Sequence, residues 1–186
     1  QRLNTGGSLA TPQEIRNCIM IMYDKEKFLW LRELADDQNF IEATSITDRS
    51  LEEQYDIELV LRFLVLKDKT REELGEIGNI GDFLTQEMIS IAKDDSYDME
   101  GEEEEFRNTF EFINEQMGSD AFRRYESDTN RFLGGFSVSA YETIAIGVGS
   151  NIQQIEQEEL DLRERIVHVW EQTEFTNRSG SGVRAS

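Results

Sequence analysis

Apolar residues along this chain recur at helical rather than strand spacing, and helix-start signals precede several of the apolar runs. Thr11-Pro12-Gln13-Glu14 joins a capping hydroxyl, a proline at the first helical position and a glutamate placed to close a capping box, so a helix opens here. Ile15, Ile19 and Met22 follow at helical spacing and predict the buried face, with Cys18 among them as a small core residue. After the polar break at Asp24-Lys25, Phe28, Leu31, Leu34 and Ala35 predict a second helix. Asp48 or Ser50 can cap the next, in which Leu51, Leu59, Phe63 and Leu66 are joined by Val60, Leu61, Leu64 and Val65. A segment apolar all round is buried on several sides.

The same reading continues to the end. Ile80-Gly81-Asp82 leads into Phe83, Leu84, Met88, Ile91 and Ala92, a helix to about Lys93. Glu102 to Glu105 suit the positive end of a helix running through Phe106, Phe110, Ile113 and Met117, and Gly118 stands where a terminating glycine belongs. Asp120 to Tyr125 reads as a further helical turn. Gly134-Gly135 breaks the chain before a helix over 137–148, where Ser139-Ala140-Tyr141-Glu142 resembles a capping box. A last helix over 155–173 has Leu162, Ile166, Val169 and Trp170 as its apolar face. No alternating pattern lasts long enough for a sheet, and only Phe136 to Ser139 reads as briefly extended. The expected fold is all-α, an irregular bundle of about seven helices over residues 1–176, followed by a flexible Gly/Ser-rich end at 177–186.

Charge narrows the functions. Among the 186 residues, 19 Lys and Arg face 39 Asp and Glu, a net charge of −20, so the general surface repels nucleic acid and anionic lipid. One Cys excludes an internal disulfide and a Cys-based zinc site, and it favours a reducing compartment. No apolar run approaches the roughly 20 residues that span a bilayer, and no signal peptide opens the chain. A cytoplasmic protein with no membrane partner is expected. The acidic run at 102–105 is a solvated helix start rather than a metal site, because contiguous helical positions do not converge on one ion. His168, beside Val167 and Val169, reads as a packed or half-exposed histidine, since no nucleophile motif accompanies it.

The strongest candidate chemistry lies at the start. Asn4-Thr5-Gly6-Gly7-Ser8 places two glycines and short polar side chains just before a helix N-terminus, which suits either a structural turn or a phosphate cradle. It lacks the Lys-Ser/Thr ending of a P-loop and the strand of a dinucleotide fingerprint. Behind it stand Glu14, Arg16 and Asn17, with Arg16 the natural counter-charge to a phosphate or, equally, a surface partner of nearby carboxylates. Ser179 to Arg184 reads as a disordered end rather than a second anion loop.

The block Asn4-Thr5-Gly6-Gly7 with Glu14-Ile15-Arg16-Asn17 resembles the N-terminal domain of GmrSD-type restriction endonucleases. Similar to the same family are Asp56-Ile57-Glu58-Leu59-Val60-Leu61-Arg62-Phe63, and Arg131-Phe132 with Gly134-Gly135-Phe136-Ser137-Val138-Ser139-Ala140-Tyr141-Glu142; the ending Ser179 to Arg184 matches too. The resemblance implies the helical half of a two-part domain. The other half is a ParB/sulfiredoxin-like α/β unit carrying a DGQQR motif and linked with nucleoside triphosphates, and complete relatives act in phage defence on modified DNA. It implies that the chain is a fragment without catalytic residues or a cofactor of its own, NTP with Mg and DNA being engaged only through the complete protein. Asn4, Thr5, Gly6, Gly7, Glu14, Arg16 and Asn17 are then the nucleotide-binding or domain-facing positions. Surface uncovered by the missing half is expected to drive self-association. Two other classes fit the composition: an acidic DNA mimic that inhibits DNA-binding enzymes, and a helical interaction module.

Overall fold

The computed structural model describes residues 10–155 and 160–179. Apart from the helix Tyr55–Leu66, each of the longer helices opens where a short polar side chain accepts from its first free amides, as expected for groups that have no partner inside the helix. α1 (Pro12–Tyr23) has the expected capping box: the Glu14 amide donates to the Thr11 hydroxyl at 3.1 Å and the Thr11 amide to the Glu14 carboxylate at 2.6 Å. Asp24 caps α2 (Lys25–Ala35), and Asp37 caps α3 (Gln38–Thr44). The next expected helix is two. Thr47 caps α4 (Asp48–Glu52), then Gln54, in the left-handed region at φ 57°, turns the chain into α5 (Tyr55–Leu66). α6 (Arg71–Glu76) precedes α7 (Ile80–Lys93), and α8 (Met99–Met117) ends at Gly118, whose φ of 52° a glycine adopts without strain.

The Asp120–Tyr125 stretch departs from the helical turn expected of it. A 3-10 turn ends at Asp120, and β1 (Arg124–Glu126) pairs antiparallel with β2 (Arg131–Leu133), Tyr125 opposite Phe132. Then follow α9 (Val138–Gly149), α10 (Ile152–Ile155), α11 (Leu162–Glu171) and α12 (Thr173–Arg178). Ser137, not Ser139, caps α9, and Glu142 is drawn instead to an arginine of α5. The architecture is an all-α irregular bundle with one small hairpin, and short helices beyond those read from the sequence. No helix among the described residues is long and apolar enough to cross a membrane.

α5 forms the axis of the core. Eight of its twelve residues are buried, and it packs against α2, α7, α8 and α9. Phe63 meets Phe106 and Phe110 of α8 at ring-centroid distances of 5.4 and 5.6 Å, and Tyr141 of α9 stacks on Phe110. α9 approaches so closely that a Cβ on Gly149 would lie 2.6 Å from the Phe63 ring.

α1 lies the other way round from the sequence reading. Its buried residues are Gln13, Arg16, Asn17 and Met20, while Ile15 is 51% and Met22 84% exposed, and Cys18 is exposed rather than a core residue. The cause is partnership: the polar face meets groups on α5 and at its start that satisfy it, so its burial leaves no unmade hydrogen bonds, and of the expected apolar face only Ile19 packs against the core while Ile15 and Met22 are left to the surface.

Candidate functional site

The inward face of α1 begins a buried polar chain that crosses the bundle. Gln54 at the α5 entry accepts from the Asn17 amide, and Asn17 accepts from Gln13 at 2.7 Å. Gln13 in turn accepts from Arg16 Nε at 2.8 Å. The Arg16 guanidinium then donates to Glu58 Oε2, and the other oxygen of Glu58 receives Arg62 at 2.8 and 3.1 Å. Arg62 also donates to Glu142 of α9. Glu58 and Arg62 stand four residues apart on α5, so they share one face and meet at a spacing the helix itself sets.

Side-chain exposure is 3% for Arg16, 14% for Glu58, 11% for Arg62 and 34% for Glu142. Two guanidiniums and two carboxylates balance, which is what allows four charges to sit this deep. Burial pulls the Arg16 guanidinium below its ordinary value, aided by repulsion from Arg62 and opposed by Glu58. Burial also pulls on Arg62, but Glu142 and Glu58 outweigh it, and its net shift is upward. Both remain cations at neutral pH. Burial pushes the neighbouring Tyr55 phenol up to about 12, and Tyr141, fully enclosed, well above its ordinary value, so both stay protonated. The Tyr141 hydroxyl donates to the Leu59 carbonyl at 2.8 Å and fixes α9 against α5.

Each end of the chain of contacts opens on a cleft. Glu142 lines one of about 330 Å³ with Arg71, Ser139, Gln172 and Phe175, where a guanidinium, a hydroxyl and an amide face an aromatic ring. Gln54 lines another of about 300 Å³ with Arg32, Asp36 and Asp56. Chemically the network is saturated: its members position one another and leave no unpaired base or nucleophile within it. It joins the joint between α4 and α5 to α9 through α1.

No family model, curated protein or solved structure matches the chain.

Asn4, Thr5, Gly6 and Gly7 lie outside the described residues, as do Ser8 and the stretch from Gly180 to Arg184. Glu14 holds the capping box at the mouth of α1, while Arg16 and Asn17 are buried in the bundle. Arg16 does pair with a carboxylate, but in the interior. His168 stands on the surface, 71% exposed, with Nδ1 3.9 Å from Glu171. Among the described residues no group of three or more His, Cys, Asp or Glu is arranged to hold a metal ion. Gln13, Gln54, Glu58, Arg62 and Glu142 were not singled out as site residues. The signal for two of them was present: a Glu and an Arg at i and i+4 inside the otherwise apolar run 57–66 have to meet charges in the core.

Proposed function

We propose that the chain is the helical part of a nucleotide-dependent, modification-sensing restriction or phage-defence protein, supplying one wall of its nucleotide site. One observation carries this reading. The three blocks that resemble the GmrSD-type family contribute Arg16, Glu58 with Arg62, and Glu142, and these residues, distant in sequence, meet in a single buried chain of ion pairs. A segment that served only a local turn would have no reason to converge with two others.

The inverted α1 supports the same reading. Ile15, Ile21, Met22 and Tyr23 leave 42–84% of their surface exposed on a helix whose inner face is already satisfied. An apolar stripe of this kind suits a packed neighbour, and in this proposal the neighbour is the α/β unit bearing DGQQR, with the Asn4–Gly7 loop at the seam. NTP and Mg would bind at that seam in the complete protein, and DNA would be engaged by its other parts. Alone, the chain hydrolyses no nucleotide and cuts no DNA.

The test is turnover by the complete protein. Met22→Glu and Ile15→Glu are expected to lower nucleotide hydrolysis at least tenfold by separating the halves, while leaving the melting temperature of the present chain unchanged. Asn4→Ala is expected to abolish turnover in a folded protein. Unchanged turnover in all three variants, or robust NTPase activity of the present chain by itself, would overturn the proposal. Stoichiometric inhibition of DNA-binding enzymes by the present chain would point instead to an acidic DNA mimic.

A further inference from the structure

A second candidate site lies where the ionic chain surfaces on α9. The cleft there has a volume of about 330 Å³ and is walled by Arg71 of α6, Ser139 and Glu142 of α9, Gln172 between α11 and α12, and Phe175 of α12. That size lies within the range of small-molecule sites. The aromatic wall is fixed from behind. The Phe175 ring packs edge-on against Trp170, 4.9 Å between centroids, and Trp170 is buried in the core.

Glu142 is fixed as well, and only half of its carboxylate is used. Its Oε1 accepts from Arg62, whose side chain is 11% exposed and is itself held by Glu58. Its Oε2 accepts from no donor among the described residues, and with 34% of the side chain exposed this oxygen is open rather than sealed. Arg71 supplies the opposite charge. Its side chain is exposed and forms no ion pair among the described residues, in a chain where 39 acids face 19 cations. It borders the same space as Glu142 without bonding to it. A carboxylate and a guanidinium kept apart in one cleft leave room for a guest that bridges them.

The two charges choose the ligand. Arg62 balances Glu142 from the buried side, so the open oxygen calls for a hydrogen-bond donor, while the Arg71 guanidinium calls for a carboxylate. A simple amine would meet like charge at Arg71, and a simple acid would meet it at Glu142. We infer that the cleft binds a free α-amino acid with an apolar or aromatic side chain. Its ammonium donates to Glu142 Oε2, its carboxylate accepts from Arg71, and its side chain lies against Phe175. This inference does not rest on the nucleotide seam, and either can fail without the other.

The experiment titrates the 186-residue chain with L-phenylalanine and follows amide chemical shifts. Perturbations centred on residues 71, 139–143 and 172–175, saturating near or below about 1 mM, are expected. Arg71→Gln, which removes an exposed charge, is expected to bind at least about tenfold more weakly. Two further probes on the unmodified protein do not depend on a variant folding. The 2-phenylethylammonium ion lacks the carboxylate and 3-phenylpropionate lacks the ammonium, and each is expected to bind at least about tenfold more weakly than the amino acid. Absence of perturbation at these residues at about 10 mM L-phenylalanine, equal affinity in a folded Arg71→Gln, or either singly charged probe binding as tightly as the amino acid would each overturn the proposal.

Discussion

Arg16 is an arginine with 3% of its side chain exposed, and it is held by a glutamate that another arginine also claims. Removing it leaves Glu58 buried with half its partners, and breaking a buried pair in this way costs about 3–5 kcal/mol. Arg16→Ala is therefore expected to lower the unfolding free energy by about 3 kcal/mol in urea titrations, and Arg16→Met combined with Glu58→Gln by less than the sum of the single changes, because together they remove both unmatched charges. Asp56 behaves oppositely. Burial holds its carboxyl above the ordinary range, so the folded chain takes up this proton at a higher pH than the unfolded chain does. Acidification through that interval favours folding, and the ionised group is a liability at neutral pH. Asp56→Asn should thus be more stable than the parent at pH 7, with the advantage shrinking as the pH falls toward about 4. Melting curves across that range check it; an advantage that grows on acidification would contradict the assignment.

At the scale of elements, α9 approaches α5 closely enough to leave no room for a side chain at Gly149. Gly149→Ala forces a methyl to within 2.6 Å of the Phe63 ring, in a core with no slack, and should cost about 1–3 kcal/mol in chemical denaturation. Capped, periodic helices were legible in the sequence: Thr11 to Glu14 announces α1, and Gly118 ends α8. α3 and α6 were not, because seven and six residues hold too few apolar positions to establish a period. The hairpin has three-residue strands, in which only Phe132 is buried, so alternation could not show itself. The orientation of α1 was not legible in its own segment. Its amphipathic pattern is real, but which side turns inward was decided by Glu58 and Gln54 on another helix. The same cause hid most of the candidate site: Arg16 and Asn17 could be picked from their own segment, whereas Gln54 and Glu142 acquire their role only through partners more than thirty residues away.

For the molecule as a whole, a net charge of −20 means that the folded state concentrates repulsion that the unfolded chain spreads out. Surface pairs such as Arg49 with Glu53 are too exposed to offset much of it. Raising sodium chloride from about 0.02 to 0.3 M, which shortens the Debye length from roughly 20 Å to below 10 Å, should raise the melting temperature. A fall would show that attractive pairs dominate. Cations are scarce in this chain, and besides Arg16 and Arg62 two lysines are turned inward to bind elements together. Lys27 donates to the Ile91 and Asp94 carbonyls at 2.9 and 2.6 Å, closing the end of α7. Lys67 is clasped by Asp68, Glu102 and Glu105 between α5 and α8.

That clasp has a chemical signature. An amine is acylated through its lone pair, which Lys67 withholds twice: 4% of its side chain meets solvent, and against the pull of burial Glu105 and Asp68 hold its ammonium well above the ordinary lysine value. A brief pulse of an amine-acylating reagent should therefore mark Lys25 and Lys93 readily while passing over Lys67. Read by peptide mass spectrometry along a denaturant series, the labelling of Lys67 becomes an internal clock for the separation of α8 from α5, set by the protein's own side chains.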